Sequence, residues 1–140
     1  MKIEELRIGS IVVNSTTDKI IRVKGISDDG FITVRKDALS DENIDIENII
    51  PLYINDPMLG QIVDHRVITK APRKKNIYYF PNQTATFFLV KLKESNFVIG
   101  MIDVKLPEKY RRLTKSFSEY HKLQNAHKTI FDTELPWLNI

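Results

Sequence analysis

The chain has 140 residues, 42% of them hydrophobic and 28% charged, which is enough to bury one core and lies well outside the composition of disordered chains. It contains no cysteine, which excludes a disulfide framework, a thiolate zinc cluster and a cysteine nucleophile. The formal charge of +3 is unevenly placed: residues 1–64 hold 7 basic and 12 acidic side chains, whereas residues 65–140 hold 14 and 6. That split suits an anionic partner for the second half, or docking of the two halves on each other. Lys2, Glu4, Glu5 and Arg7 precede any apolar run, unlike a signal peptide, and the longest apolar stretches, 87–90 and 97–102, fall short of the ~18 residues of a membrane helix. A cytoplasmic protein with no membrane partner is expected.

The first fifty residues read as short strands joined by turns. Ile11-Val12-Val13 is β-branched, residues 14–18 are turn formers, and Ile21 and Val23 alternate with polar neighbours, which makes a first hairpin. Ser27-Asp28-Asp29-Gly30 marks a tight turn before a strand at 31–34, and a polar loop over 36–43 leads to a strand at 44–47. Strands at this spacing predict an SH3-like small barrel or a bent antiparallel sheet.

Asn55-Asp56-Pro57 is a helix start, with a capping side chain and an early proline, and Gly60 keeps the helix over 56–64 short. A strand follows at 76–80. The runs 86–92 and 97–104, separated by Lys93-Glu94-Ser95-Asn96, make the clearest β-hairpin, closed by Pro107. From about residue 116 to 131 the period becomes helical, with Tyr120, Leu123, His127, Ile130 and Phe131 in one stripe. Trp137 and Leu138 are expected to tuck the tail back.

Tyr120-His121-Lys122-Leu123-Gln124-Asn125-Ala126-His127, followed by Glu134-Leu135, resembles the C-terminal Val-His-Gln-Leu-Gln-Asn-Leu-Tyr helix and trailing Glu-Leu of a family of short uncharacterised proteins from Bacteroidetes genomes and their phages or mobile elements. Leu6-Arg7-Ile8-Gly9 is similar to that family's Leu-Arg-Ile-Gly-Asn start, and Ile49-Ile50-Pro51-Leu52 to its Ile-x-Pro-Ile-Pro-Leu segment. Two stretches depart from it. Residues 53–64 are interrupted by Pro57 and Gly60 where the family carries a longer amphipathic helix, and the basic insertion Arg73-Lys74-Lys75 has no counterpart. The resemblance implies a phage or mobile-element setting and a two-part layout, and it implies no activity.

Chemistry at neutral pH would begin with His65, His121 or His127. His127 lies within the helical stripe, as a packed residue with one hydrogen bond would. His121 and Gln124, three apart, form a polar flank able to bond a backbone edge, a nucleotide or each other. His-x-x-x-His and His-x-His are absent, and so are a nucleophile elbow, a phosphate-cradling glycine loop and a dinucleotide fingerprint. The acidic residues Asp37, Asp41, Glu42, Asp45 and Glu47 lack the spacing of a calcium loop and read as a solvated face. The segment 70–80 carries the sharper pattern, because Lys70, Arg73, Lys74 and Lys75 run into Tyr78, Tyr79 and Phe80. Cations for phosphates beside rings that stack on bases are the makings of a single-strand or RNA surface. Arg111, Arg112 and Lys115 extend it if the linker before the last helix folds alongside. As a solvated loop followed by a core strand, the same segment buries Tyr78 and Phe80 and leaves Tyr79 outside.

The sequence thus predicts an α+β protein, with an SH3-like β lobe over 1–54, then over 55–140 an antiparallel hairpin sheet packed by one C-terminal helix. No cofactor, metal site or catalytic residue is expected. Two functions compete: a non-enzymatic protein-interaction module, for which an unknown protein partner is expected, and a nucleic-acid-binding accessory protein using Lys70, Arg73, Lys74, Lys75, Tyr79, Arg111 and Arg112.

Overall fold

The computed structural model describes residues 1–81, 86–102 and 110–136. It is an α+β structure whose strands all pair antiparallel, in two compact units. The first unit comprises Met1–Tyr53 with Glu119–Asn125, and the second comprises Ile54–Ser118 with Ala126–Ile140. No helix among the described residues is long and apolar enough to cross a membrane.

In the first unit β1 (Ile11–Asn14), β2 (Lys19–Arg22), β3 (Gly25–Ile26), β4 (Phe31–Arg35), β5 (Asp41–Asp45) and β6 (Ile49–Pro51) form two three-stranded sheets, β2-β1-β6 and β3-β4-β5. Alternation decides which side chains turn inward. Ile32 and Val34 on β4 and Ile44 on β5 join Leu6, Val12, Val23 and Ile49 in one buried cluster. Each such side chain contributes about 1.5–3 kcal/mol on burial. Among the described residues the two sheets do not close into a barrel. The strand read at 44–47 begins earlier, at Asp41, and is followed by a 3-10 turn, Ile46–Asn48. Its polar sequence hides it, and its strand character comes from cross-strand pairing: Thr33 Oγ1 donates to Asn43 Oδ1 at 2.9 Å, and Lys24 reaches Asp41 at 2.8 Å.

The second unit carries α1 (Asp56–Asp64) and a five-stranded sheet of β7 (Thr69–Lys70), β8 (Ile77–Phe80), β9 (Phe87–Lys91), β10 (Phe97–Ile102) and β11 (Tyr110–Arg112), in the order β11-β10-β9-β8-β7. Asn55 caps α1 by accepting from the Met58 amide at 2.9 Å, and Pro57 occupies the first turn, where its missing N–H costs nothing. The hairpin expected from the sequence is the centre of this sheet. Its near-continuous apolarity is explained by burial on both faces: Phe88, Leu89, Val90, Val98 and Ile99 are all buried.

The last helix, α2 (Tyr120–Phe131), starts four residues later than the sequence period suggests. Phe117 instead bridges Phe97, with reciprocal backbone bonds of 2.7 and 2.9 Å. Residues of α2 through Asn125 belong to the first unit and those from Ala126 to the second. In the second unit the end of α2 packs on the sheet, with the Phe131 ring 4.8 Å from that of Phe80 and 5.1 Å from that of Phe87. Residues 103–104, Pro107, Trp137 and Leu138 lie outside the described residues.

Candidate functional site

Arg7 and Gly9, before β1, meet Gln124 and Asn125 of α2 in the first unit, where they act as a polar lock. Gly9, at φ +97°, turns the chain into β1 through a conformation that a side chain would strain. Gln124 lies across that turn: its Nε2 donates to the Gly9 carbonyl at 2.9 Å and its Oε1 accepts from the Ile11 amide at 2.8 Å. One side-chain amide thus supplies the pairing that a neighbouring strand would otherwise give. Asn125 repeats the pattern one residue on, with its Nδ2 donating to the Glu5 carbonyl at 2.9 Å and its Oδ1 accepting from Arg7 Nε at 2.7 Å. Arg7 also donates from Nη2 to the Gln124 carbonyl at 3.0 Å.

His121 is 1% exposed, and neither ring nitrogen has a hydrogen-bond partner; the Glu5 carboxylate stands 3.7 Å from Nε2. Burial holds its pKa below the ordinary value, against the opposing pull of Glu119 and Glu5. In the second unit the His127 ring packs on Phe80 and Phe131, and its Nδ1 lies 2.7 Å from the Thr133 carbonyl, which requires the proton on Nδ1. Burial lowers this pKa as well, and the carbonyl bond opposes it. The acidic residues of the first unit serve as local caps: Asp37 accepts from the Leu39 amide at 2.8 Å and Asp45 from the Glu47 amide at 2.9 Å. Among the described residues no three histidine or acidic side chains converge as metal ligands would.

The second unit contains an open cleft of about 570 Å³, within the range that accepts a drug-sized ligand. α1 supplies one wall through Asp56, Leu59, Gly60, Val63 and Asp64, and the β7–β8 hairpin with β9 supplies the other through Lys70, Lys75, Asn76, Tyr78 and Lys91. Sheet register makes the key pair, because Lys70 stands directly opposite Tyr78 and Thr69 opposite Tyr79. Side chains opposite each other share a face, so a cation and an aromatic ring are presented together. The turn between the strands carries two non-glycine residues in the left-handed region, Arg73 at φ 62° and Asn76 at φ 71°. Asn76 accepts from the Lys91 amide at 2.8 Å, which ties the Lys75 end of the turn to β9. Lys91 pairs with Asp56 at 3.3 Å, whereas Lys70, Lys75 and Asp64 have no ion-pair partner among the described residues.

Five of the residues singled out in the sequence fall outside the cleft. Tyr79 lies on the opposite face of β8, half-buried against Ile77, Phe88 and Val90, with its ring 5.3 Å from that of Phe88 and edge-on to it. Alternation alone misplaces it because both faces of this sheet are packed. Arg111 and Arg112 lie on β11, the edge strand opposite β7. Four strand spacings, roughly 19 Å, separate those edges, so the two arginines do not extend the cleft. Arg73 and Lys74 are exposed on the turn and are not part of the cleft lining. The sequence did not mark Lys91, Gly60, Leu59 or Val63 as site residues; a helical spacing of three and four for 59, 60 and 63 was the one available signal.

Comparison with protein-family models, with curated proteins and with solved structures returns no match to this chain.

Proposed function

We propose that the protein is a non-enzymatic binding module whose second unit holds one nucleotide segment of a single-stranded nucleic acid in the α1–β8 cleft. The observation that carries this reading is the juxtaposition of Lys70 and Lys75 with the Tyr78 ring on one side of an open cleft. Unpaired ammonium groups attract phosphate, and an aromatic ring beside apolar Leu59 and Val63 suits a base. Asp56 is engaged by Lys91, and Asp64 supplies a carboxylate able to accept from an exocyclic amine of a base.

The test is an anisotropy titration of labelled single-stranded oligonucleotides at several salt concentrations. Two phosphate contacts give a log–log salt slope of about −1.4 on a single strand. Lys70→Ala and Lys75→Ala are each expected to weaken binding and to flatten that slope by about 0.7. Absence of binding at low salt refutes the reading.

A protein partner is the second reading, and the first unit favours it. Ile8 is 66% exposed beside a groove of about 300 Å³ lined also by Arg22, Val23, Lys24 and Arg35, and Leu39 and Tyr53 are 97% and 60% exposed. The phage or mobile-element setting implied by the sequence resemblance accords with either reading.

A further inference from the structure

Gly60 sits in the middle of α1, where glycine is worth about 1 kcal/mol less than alanine to a helix. Glycine is retained in helices where a neighbour comes too close for a side chain or where the backbone needs a positive φ. Neither holds here. A Cβ built on Gly60 meets no atom within 4 Å, and its φ is not in the left-handed region. The residue is exposed, and it lines the cleft opposite Lys70, Lys75 and Tyr78. The fold therefore gives no reason for the missing side chain, whereas the cleft does: Gly60 leaves bare helix backbone on one wall, between Leu59 and the next helical turn at Val63.

We infer that Gly60 is the point at which the sugar of the nucleotide held in the cleft packs on α1, a contact that requires the bare backbone, in a cleft that takes single strands and not duplex. This rests on the nucleic-acid reading of the cleft. One nucleotide places its base against Tyr78 and its phosphate at Lys70 and Lys75, so the sugar faces the opposite wall, which is Gly60. A duplex holds its bases paired inside and cannot present one to Tyr78.

The experiment uses the full chain, a fluorescein-labelled oligothymidylate, and the variants Gly60→Ala and Gly60→Leu beside Lys70→Ala. Both glycine variants are expected to fold, because the added side chain enters open space, and Gly60→Ala is expected to raise the melting temperature by about 3 °C. Affinity is expected to drop several-fold in Gly60→Ala and at least about tenfold in Gly60→Leu, while unlabelled duplex competes poorly against the wild type. If Lys70→Ala loses binding but both glycine variants bind as the wild type does, the inference about Gly60 is overturned and the cleft reading stands. If the wild type binds no oligothymidylate at low salt, both fall together. Duplex that competes as well as single strand also overturns the inference.

Discussion

Gln124 and His121 are neighbours on one helix face and both are buried, but they stand in opposite energetic positions. Gln124 satisfies two main-chain groups, at Gly9 and Ile11, that no strand pairs. Replacing it by leucine keeps the volume and leaves both groups buried without a partner, each costing about 1–3 kcal/mol. Urea unfolding of Gln124→Leu is therefore expected to show a loss of about 2–4 kcal/mol, and a loss under about 1 kcal/mol would contradict the lock. His121 is the converse case, a desolvated ring whose nitrogens lack a hydrogen bond and whose Nε2 stands 3.7 Å from the Glu5 carboxylate. Burial disfavours its charged form, so as pH falls through about 6.5 the unfolded chain takes up the proton first. Stability is complete above that pH and declines below it, and His127 contributes with the same sign. His121→Leu is expected to be neutral or stabilising at pH 7 and to flatten the fall in urea midpoint between pH 7 and pH 5; an unchanged pH profile would contradict this assignment.

At the scale of elements, the β7–β8 hairpin decides what the basic segment does. Its turn holds Arg73 in a left-handed conformation that costs a side-chain-bearing residue about 1–2 kcal/mol relative to glycine. Arg73→Gly is expected to leave stability unchanged or raise it by up to about 1 kcal/mol, and to leave oligonucleotide affinity nearly intact, because Arg73 is not in the cleft lining. A large loss of affinity in that variant would show that the basic run acts as a block and not through Lys70 and Lys75. This hairpin also marks where the sequence stops being legible. The start of α1 was readable because Asn55 and Pro57 encode a cap chemically. The register that puts Lys70 beside Tyr78 was not, because the turn lacks the glycine that would announce it. Phe117 misled for another reason: it lies three residues before Tyr120 and fits the helical period, yet a backbone bridge to Phe97 holds it extended. The polar strand Asp41–Asp45 was hidden because its stability comes from pairing with β4 and from Lys24, which a local reading does not see. Gln124 could be named in advance as a group able to bond a backbone edge, but which edge depends on a segment more than a hundred residues away.

Across the whole molecule, the acidic excess belongs to the first unit and the basic excess to the second, and the cleft lies in the basic one. Under the proposed reading, that placement would strengthen attraction of an anionic strand to the cleft without any added contact. It also separates two kinds of sequence signal. Leu6-Arg7-Ile8-Gly9 and the Gln124-Asn125 turn of α2 meet in the first unit and explain a fold. Residues 56–64 and the basic segment before β8 supply the cleft wall and the lysine-bearing turn of the second unit. The most direct measurement is an amide chemical-shift titration of the labelled protein with a short single-stranded oligonucleotide at low salt. The account expects saturable shifts confined to residues 56–64, 70, 75–78 and 91, abolished in Lys70→Ala/Lys75→Ala. Shifts centred on Ile8, Leu39 or Tyr53, or no saturable shifts at all, would contradict it.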